Sequence, residues 1–221
     1  MSKELQKRII SSIIIFLIFI FCLFINKYTW LILVFTCCLL SWLEWIRMTE
    51  MIKIKIKVFK IIIFISSFLY LLFAGFIFYF FGYSDPYKFI GLVSMCIFSD
   101  IGGYVSGKLI GGKKLTKISP NKTISGSLGS FVFSITIFYL WLYFYGNITK
   151  LDLASLYLFI FIPIIVSFLN QLGDLFISYI KRKARIKDTG KLIPGHGGIL
   201  DRLDGIIFAI PLTILLFTII I

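Results

Sequence analysis

Apolar side chains fall in seven long runs, at residues 9–25, 28–45, 61–81, 87–98, 127–145, 156–172 and 205–221. Most carry no regular polar face, so each reads as an element surrounded by apolar material on all sides. A run of ~20 such residues spans bilayer hydrocarbon as a helix, the form in which a single segment satisfies its own backbone groups. The pattern predicts an all-α fold: a polytopic integral membrane helical bundle of about seven transmembrane helices. The first run follows Lys3, Lys7 and Arg8, as in a secretory signal, but Asn26, Lys27, Tyr28 and Trp30 come next in place of small residues. It therefore reads as an uncleaved anchor.

Between the second and third runs the pattern changes. Residues 52–60 alternate Ile and Lys at strand period. Two readings are open there: a basic strip on anionic headgroups, or a solvated loop that helps to fix topology.

Composition narrows the class. The chain is 59% hydrophobic and 15% charged, against ~45–50% and ~25% for soluble domains. A soluble fold would leave large apolar patches in water, and disorder is excluded for the same reason. The net charge of +13 is diluted in too much Phe, Ile and Leu for a nucleic-acid binder. All basic residues except Lys27, Lys88 and Lys150 precede the first run or lie between runs two and three, four and five, and six and seven. By the positive-inside rule the N-terminus is expected in the cytoplasm and the C-terminus outside. The four cysteines lie inside apolar runs without metal-ligand spacing and read as small hydrophobes.

The ten acidic residues locate the chemistry. Glu4, Glu50, Asp85 and Asp152 fall in termini or short loops, and Glu44 reads as an interfacial side chain or a partner of Arg47 at i,i+3. Asp100, Asp174, Asp188, Asp201 and Asp204 lie at expected cytoplasmic span ends or in the two largest basic loops, where ionisable groups are candidates for function. Gln171, Asp174, Ser178, Lys181 and Arg185 would form one polar stripe on a helix leaving the membrane. Such a stripe could hold a metal ion and phosphates, or be an ordinary helix end with cations complementing its dipole.

Further on, Gly195, Gly197 and Gly198 surround the only histidine, His196, and could bring N–H groups onto an anion. Asp201 and Asp204 follow at i,i+3, expected at the start of the last helix. That spacing suits Mg2+, which accepts one or two carboxylates plus phosphates and water. A third cluster runs from Asp100 through Gly103, Gly107, Lys108 and Gly111 to Ser119, Lys122, Thr123 and Gly126. It reads as a phosphate-binding loop or a flexible interhelical connection, and it lacks Walker A order. Carboxylates, cations and glycines at a bilayer surface imply phosphate, divalent metal and a lipid substrate.

The ungapped stretch from Ser178, Lys181 and Arg182 through Lys187, Asp188, Gly190, Pro194, Gly195, His196, Gly197, Gly198, Asp201 and Arg202 to Asp204 resembles the motif of the phosphatidate cytidylyltransferase (CDP-diacylglycerol synthase) family. Asp100 to Gly111, Ser119 to Gly126 and Gln171 to Asp174 are also similar to family motifs, so the resemblance covers roughly residues 96–210. Asn121 and Gly205 depart from it, where a basic residue and a Ser are common in the family. The resemblance implies a nucleotidyltransferase of phospholipid biosynthesis that turns CTP and phosphatidate into CDP-diacylglycerol and diphosphate. It implies Mg2+, with room for a second metal ion, in a multi-pass protein of a bacterial-type inner (cell) membrane whose active site faces the cytoplasm. The expected partners are the two substrates and the lipid bilayer, with no nucleic acid; a homodimer stays open.

On this reading the chain divides into residues 1–95, a transmembrane region without identifiable motifs, and 96–221, a catalytic transmembrane region with the phosphate- and metal-binding loops. The expected metal ligands are Asp174, Asp201 and Asp204; Lys187, Asp188, His196 and Arg202 complete the catalytic set. Substrate binding is assigned to Asp100, Lys122, Thr123, Ser178, Lys181, Arg182, Gly195, Gly197 and Gly198. The rivals are a CTP-dependent polyprenol or phytol kinase, which would release CDP and need a base, and a membrane transporter, whose ionisable residues would sit at mid-membrane.

Overall fold

The computed structural model describes residues 3–53, 56–116, 118–145, 153–195 and 197–220. Among the described residues eight helices follow in order: α1 Lys3–Ile25, α2 Lys27–Glu50, α3 Lys57–Ser84, α4 Pro86–Leu109, α5 Ile124–Tyr145, α6 Leu153–Lys183, α7 Leu200–Leu203 and α8 Ile206–Ile220. Among the described residues the only β-type pairings are isolated bridges, Lys114 with Thr123 and Ile193 with Gly197. The fold is all-α as expected. Helices α1 to α6 are long and apolar enough to cross a bilayer, while α8 contributes a shorter apolar segment, Ile206–Leu216. The chain is a multi-pass membrane protein.

The differences from the sequence pattern lie at element ends. The short fourth run is only the first half of α4, which continues as helix through Asp100, Gly102 and Gly103 to Leu109. Hydrophobicity stops there, but helical hydrogen bonding does not. The strand-like alternation at 52–60 gives way to helix at Lys57; residues 54 and 55 lie outside the described residues. Asp201 and Asp204 do not open the last helix. Asp201 belongs to the separate single turn α7, and Asp204 follows it before α8 begins. Pro163 and Pro211 leave α6 and α8 continuous.

The chain groups into two compact units, one of Met1–Pro86 with Ile180–Asp204 and one of Tyr87–Tyr179 with Gly205–Ile221. In the first, α2 packs against α1, α3 and α7. Asn26 starts α2 by accepting from the N–H groups of Tyr28 and Thr29, both at 2.9 Å, which satisfies two otherwise orphaned donors. Trp30 Nε1 donates to the Phe78 carbonyl at 3.1 Å, so the indole buries its one polar group across the α2–α3 contact. Phe16, Phe21, Phe35 and Phe76 point outward, as lipid-facing positions require. All four cysteines are free thiols.

In the second unit α4 and α5 close on small residues. A Cβ on Gly102 would stand 2.6 Å from the Gly129 carbonyl, and one on Gly103 2.6 Å from Ser130 Oγ. These glycines therefore serve backbone approach between membrane helices and lie on helix α4, in neither a phosphate-binding loop nor a flexible interhelical connection. Two buried hydroxyl contacts cross between helices: Ser99 with Ser167 at 2.9 Å and Ser134 with the Pro163 carbonyl at 3.1 Å. At Gly205 a Cβ would overlap the Asn170 carboxamide, so a side chain could enter only if that packing shifted.

Candidate active site

In the first unit, α6 ends in a paired C-terminal turn. The N–H of Arg185 bonds to the Arg182 carbonyl at 3.1 Å and that of Ile186 to the Lys181 carbonyl at 3.0 Å. Arg185 stands at φ 60, the left-handed position that ends such helices and is usually glycine. The predicted polar stripe is thus helical through Lys181 and loses Arg185.

Asp201 then organises the chain that follows. One oxygen meets Lys181 Nζ at 2.8 Å; the other accepts from the N–H groups of Thr189 at 2.7 Å and Gly198 at 2.9 Å. The carboxylate side chain is 5% exposed and the lysine 13%. Burial pushes the Asp201 carboxyl up. The Lys181 hydrogen bond, the Gly198 N–H, the lysine charge and the Thr189 N–H together outweigh it and hold the group below the usual carboxylate range. Gly197 makes the approach feasible. It sits at φ 87, and a Cβ there would lie 2.6 Å from Asp201 Oδ2. The N–H of Ile193 closes the glycine turn on the Gly197 carbonyl at 2.9 Å.

The remaining predicted residues of this unit differ in exposure. Arg182, Lys187, Asp188, Gly195 and Arg202 are exposed, Asp204 is half-buried, and Gly198 is buried. Gly198 spends its N–H on Asp201. His196 lies outside the described residues.

The second unit gathers the other predicted set. The stretch before α5 folds back on itself through Leu115 N–H to the Lys122 carbonyl at 2.8 Å and Ile124 N–H to the Lys113 carbonyl at 3.0 Å. Thr123 Oγ1 caps α5 by accepting from Gly126 N–H at 3.0 Å. Its hydroxyl is therefore engaged within the fold. Lys122, fixed by this turn, places Nζ 2.5 Å from Asp174 Oδ2, and Ser178 donates to the other oxygen of Asp174 at 3.2 Å. Asp100 accepts from the buried Asn170 carboxamide at 2.7 Å. A recess lined by Lys114, Leu115, Thr116 and Pro120 opens on the same loop.

Sequence reasoning missed Glu44. It forms no ion pair with Arg47 among the described residues. It is buried and accepts from Thr189 Oγ1 at 2.7 Å and from the N–H groups of Ile199 at 3.0 Å and Leu200 at 2.9 Å. An acid at the end of an apolar run was visible, but its partners stand 145 to 156 residues away. Asn170 and Thr189 were missed because each acts through a contact that spacing does not encode.

The donor chemistry suits Mg2+: carboxylate oxygens, which at Asp174 and Asp201 already hold lysine ammonium groups. Among the described residues no three His, Cys, Asp or Glu side chains gather as a ligand cluster. The fit is to a cation held by one or two carboxylates, with phosphate and water supplying the rest, and not to a cage of protein ligands.

A model of the cytidylyltransferase family matches residues 61–220. The chain is 39% identical over 140 residues to the phosphatidate cytidylyltransferase of Staphylococcus haemolyticus, covering 62% of this chain and 52% of that protein. Against the enzyme of that name from Rickettsia bellii, identity is 44% over 123 residues, covering 51% and 50%. Against the Helicobacter pylori protein of that name it is 37% over 121 residues, covering 54% and 42%. The chain spans about half the length of the curated relatives it matches.

Proposed function

This chain belongs to the cytidylyltransferase family, and on that premise we propose that it transfers the cytidylyl group of CTP to phosphatidate, giving CDP-diacylglycerol and diphosphate. The observation that carries the reading is the lysine-neutralised, backbone-anchored carboxylate of Asp201 within a stretch dense in cations. The likeness to proteins named phosphatidate cytidylyltransferase supports it.

In the proposed reaction an oxygen of the lipid phosphate forms a bond to the α-phosphorus of CTP. The bond from that phosphorus to the bridging α–β oxygen breaks, and diphosphate leaves with the electron pair. A phosphomonoester loses its second proton near pH ~6, so the nucleophile is ionised at neutral pH and needs no general base. What has to be overcome is repulsion between two polyanions. Lys122, Lys181, Arg182, Lys187 and Arg202 are assigned to neutralise the triphosphate and the lipid phosphate, as fixed charges do best when aimed at developing charge. Asp100 and Asp188 orient those cations. Of the expected ligands Asp174, Asp201 and Asp204, one or two would hold Mg2+ with phosphate and water completing its shell; the ion supplies Lewis-acid neutralisation of phosphate oxygens when bound. His196, with Gly195 and Gly197, is assigned to the nucleotide or the diphosphate. The charge partition along the chain supports a cytoplasmic N-terminus and an active site facing the cytoplasm at the inner membrane.

Purified protein supplied with α-labelled or γ-labelled CTP and phosphatidate tests the reading. Expected are α-label in lipid and γ-label in diphosphate. Label passing from the γ-position into lipid with release of CDP would establish a kinase instead. Asp201→Asn, checked for folding, is expected to abolish CDP-lipid formation; full activity in a well-folded variant refutes the metal assignment.

A further inference from the structure

Glu44 has no part in the reaction as derived above, and it lies upstream of the matched segment. Yet it is among the largest fully buried side chains, at 2% exposure. Its two oxygens receive three donors, all from the glycine-rich stretch: Thr189 Oγ1 and the Leu200 N–H at Oε2, and the Ile199 N–H at Oε1. Two glycines of that stretch make room for it. A Cβ on Gly190 would stand 2.6 Å from Oε1, and one on Gly198 would overlap the same carboxylate. The same glycine and threonine also bond to Asp201, through the N–H groups of Gly198 and Thr189. Glu44 and Asp201 therefore grip one strip of backbone, with Thr189 and Gly198 touching both. From α1, Ser11 Oγ adds a contact to the Pro194 carbonyl at 3.3 Å.

We infer that Glu44 is a positioning residue of the active site, whose carboxylate holds the backbone of residues 189–200 so that Asp201 and Arg202 keep their reactive placement. The inference rests on the cytidylyl-transfer reading for its effect on rate, but the hold itself is independent of it. A carboxylate offers acceptors only, whereas a carboxamide presents one oxygen and an NH2 group. Glu44→Gln therefore turns one oxygen position into a donor facing a donor and leaves a buried N–H or O–H unpaired. A displacement of ~1 Å in a group acting on the transition state lowers turnover by up to ~100-fold. A purely structural role would lower the amount of folded protein without changing turnover per folded molecule.

The test uses full-length wild type, Glu44→Gln, Thr189→Val, and Glu50→Gln as a control at an exposed acid on the same helix. Two quantities are measured: kcat and KM for CTP per folded molecule, and amide hydrogen exchange over residues 189–200. In Glu44→Gln, kcat is expected to fall about 10- to 100-fold with KM changed far less, and the amides of Ile199 and Leu200 are expected to exchange faster. Glu50→Gln should match wild type. A folded Glu44→Gln with kcat within about twofold of wild type overturns the inference, as does unchanged exchange. Should Glu44→Gln fail to fold, Thr189→Val, which removes one donor, decides: lowered kcat supports the inference and wild-type kcat overturns it. Should wild type form no CDP-lipid, the cytidylyl-transfer reading falls. The exchange comparison then decides the hold alone: faster exchange in the variants supports it, and unchanged exchange overturns it.

Discussion

Asp174 and Asp201 each hold a lysine, but in different surroundings. Asp174 and Lys122 meet at 2.5 Å with side chains 30% and 27% exposed, and the carboxylate has one further donor, the Ser178 hydroxyl. Asp201 and Lys181 meet at 2.8 Å with side chains 5% and 13% exposed, and two backbone N–H groups complete the carboxylate's shell. The first pair is partly solvated, so its energy is small and its lysine can turn away with little penalty. The second is desolvated, so losing one partner strands the other. The difference separates two tasks that the sequence wrote with the same residue types. Asp174 can release its lysine to water at little penalty, whereas Asp201 is tied to the backbone of Thr189 and Gly198.

The largest expected effect is on the buried pair. Asp201→Ala leaves the Lys181 ammonium and two N–H groups without a partner and should lower stability by about 3–5 kcal/mol, read as apparent Tm in detergent. An equal loss from Asp174→Ala would break the contrast. Next, Gly197→Ala forces a Cβ against Asp201 at a positive φ and should lower stability by about 1–3 kcal/mol, with activity falling in parallel. A variant melting with wild type would show that the turn yields without strain. Third, Asp174→Asn should shift stability by at most ~1 kcal/mol while CDP-lipid formation falls ~100-fold or more. That split between folding and turnover is the sharpest mark of an exchangeable site.

The smallest effect is on pH dependence. The Asp201 carboxyl is held below its unfolded value of ~3.9. The stability this supplies is full above pH ~4 and is lost as pH falls through the lowered folded value. The advantage of wild type over Asp201→Asn should therefore be flat from pH 5 to 7 and shrink below pH ~4. An advantage that grows on acidification would contradict the assigned direction.

Much of this was legible beforehand because the bilayer imposes it. Apolar runs must be helices, and all but the last proved long enough to cross. The two candidate loops were found from Asp, Lys and Gly content, and the structure pairs their Lys122 and Asp201 with Asp174 and Lys181 on α6. What misled was the meaning of glycine. Gly102 and Gly103 looked like loop residues and are helix-packing residues, because an absent Cβ serves a close helix crossing as well as a turn. The end of α6 was equally hidden, since Arg185 rather than Gly takes the left-handed position.

The sequence by itself determined membrane class, helix content, the partition of charge and the residues available for phosphate chemistry, because hydropathy and charge act locally and add along the chain. Only the tertiary structure decided which carboxylates are buried and which stay partly solvated, and that Glu44 reaches across the chain to Thr189, Ile199 and Leu200. Burial and hydrogen bonding depend on which distant segments meet, and no spacing in the sequence carries that information.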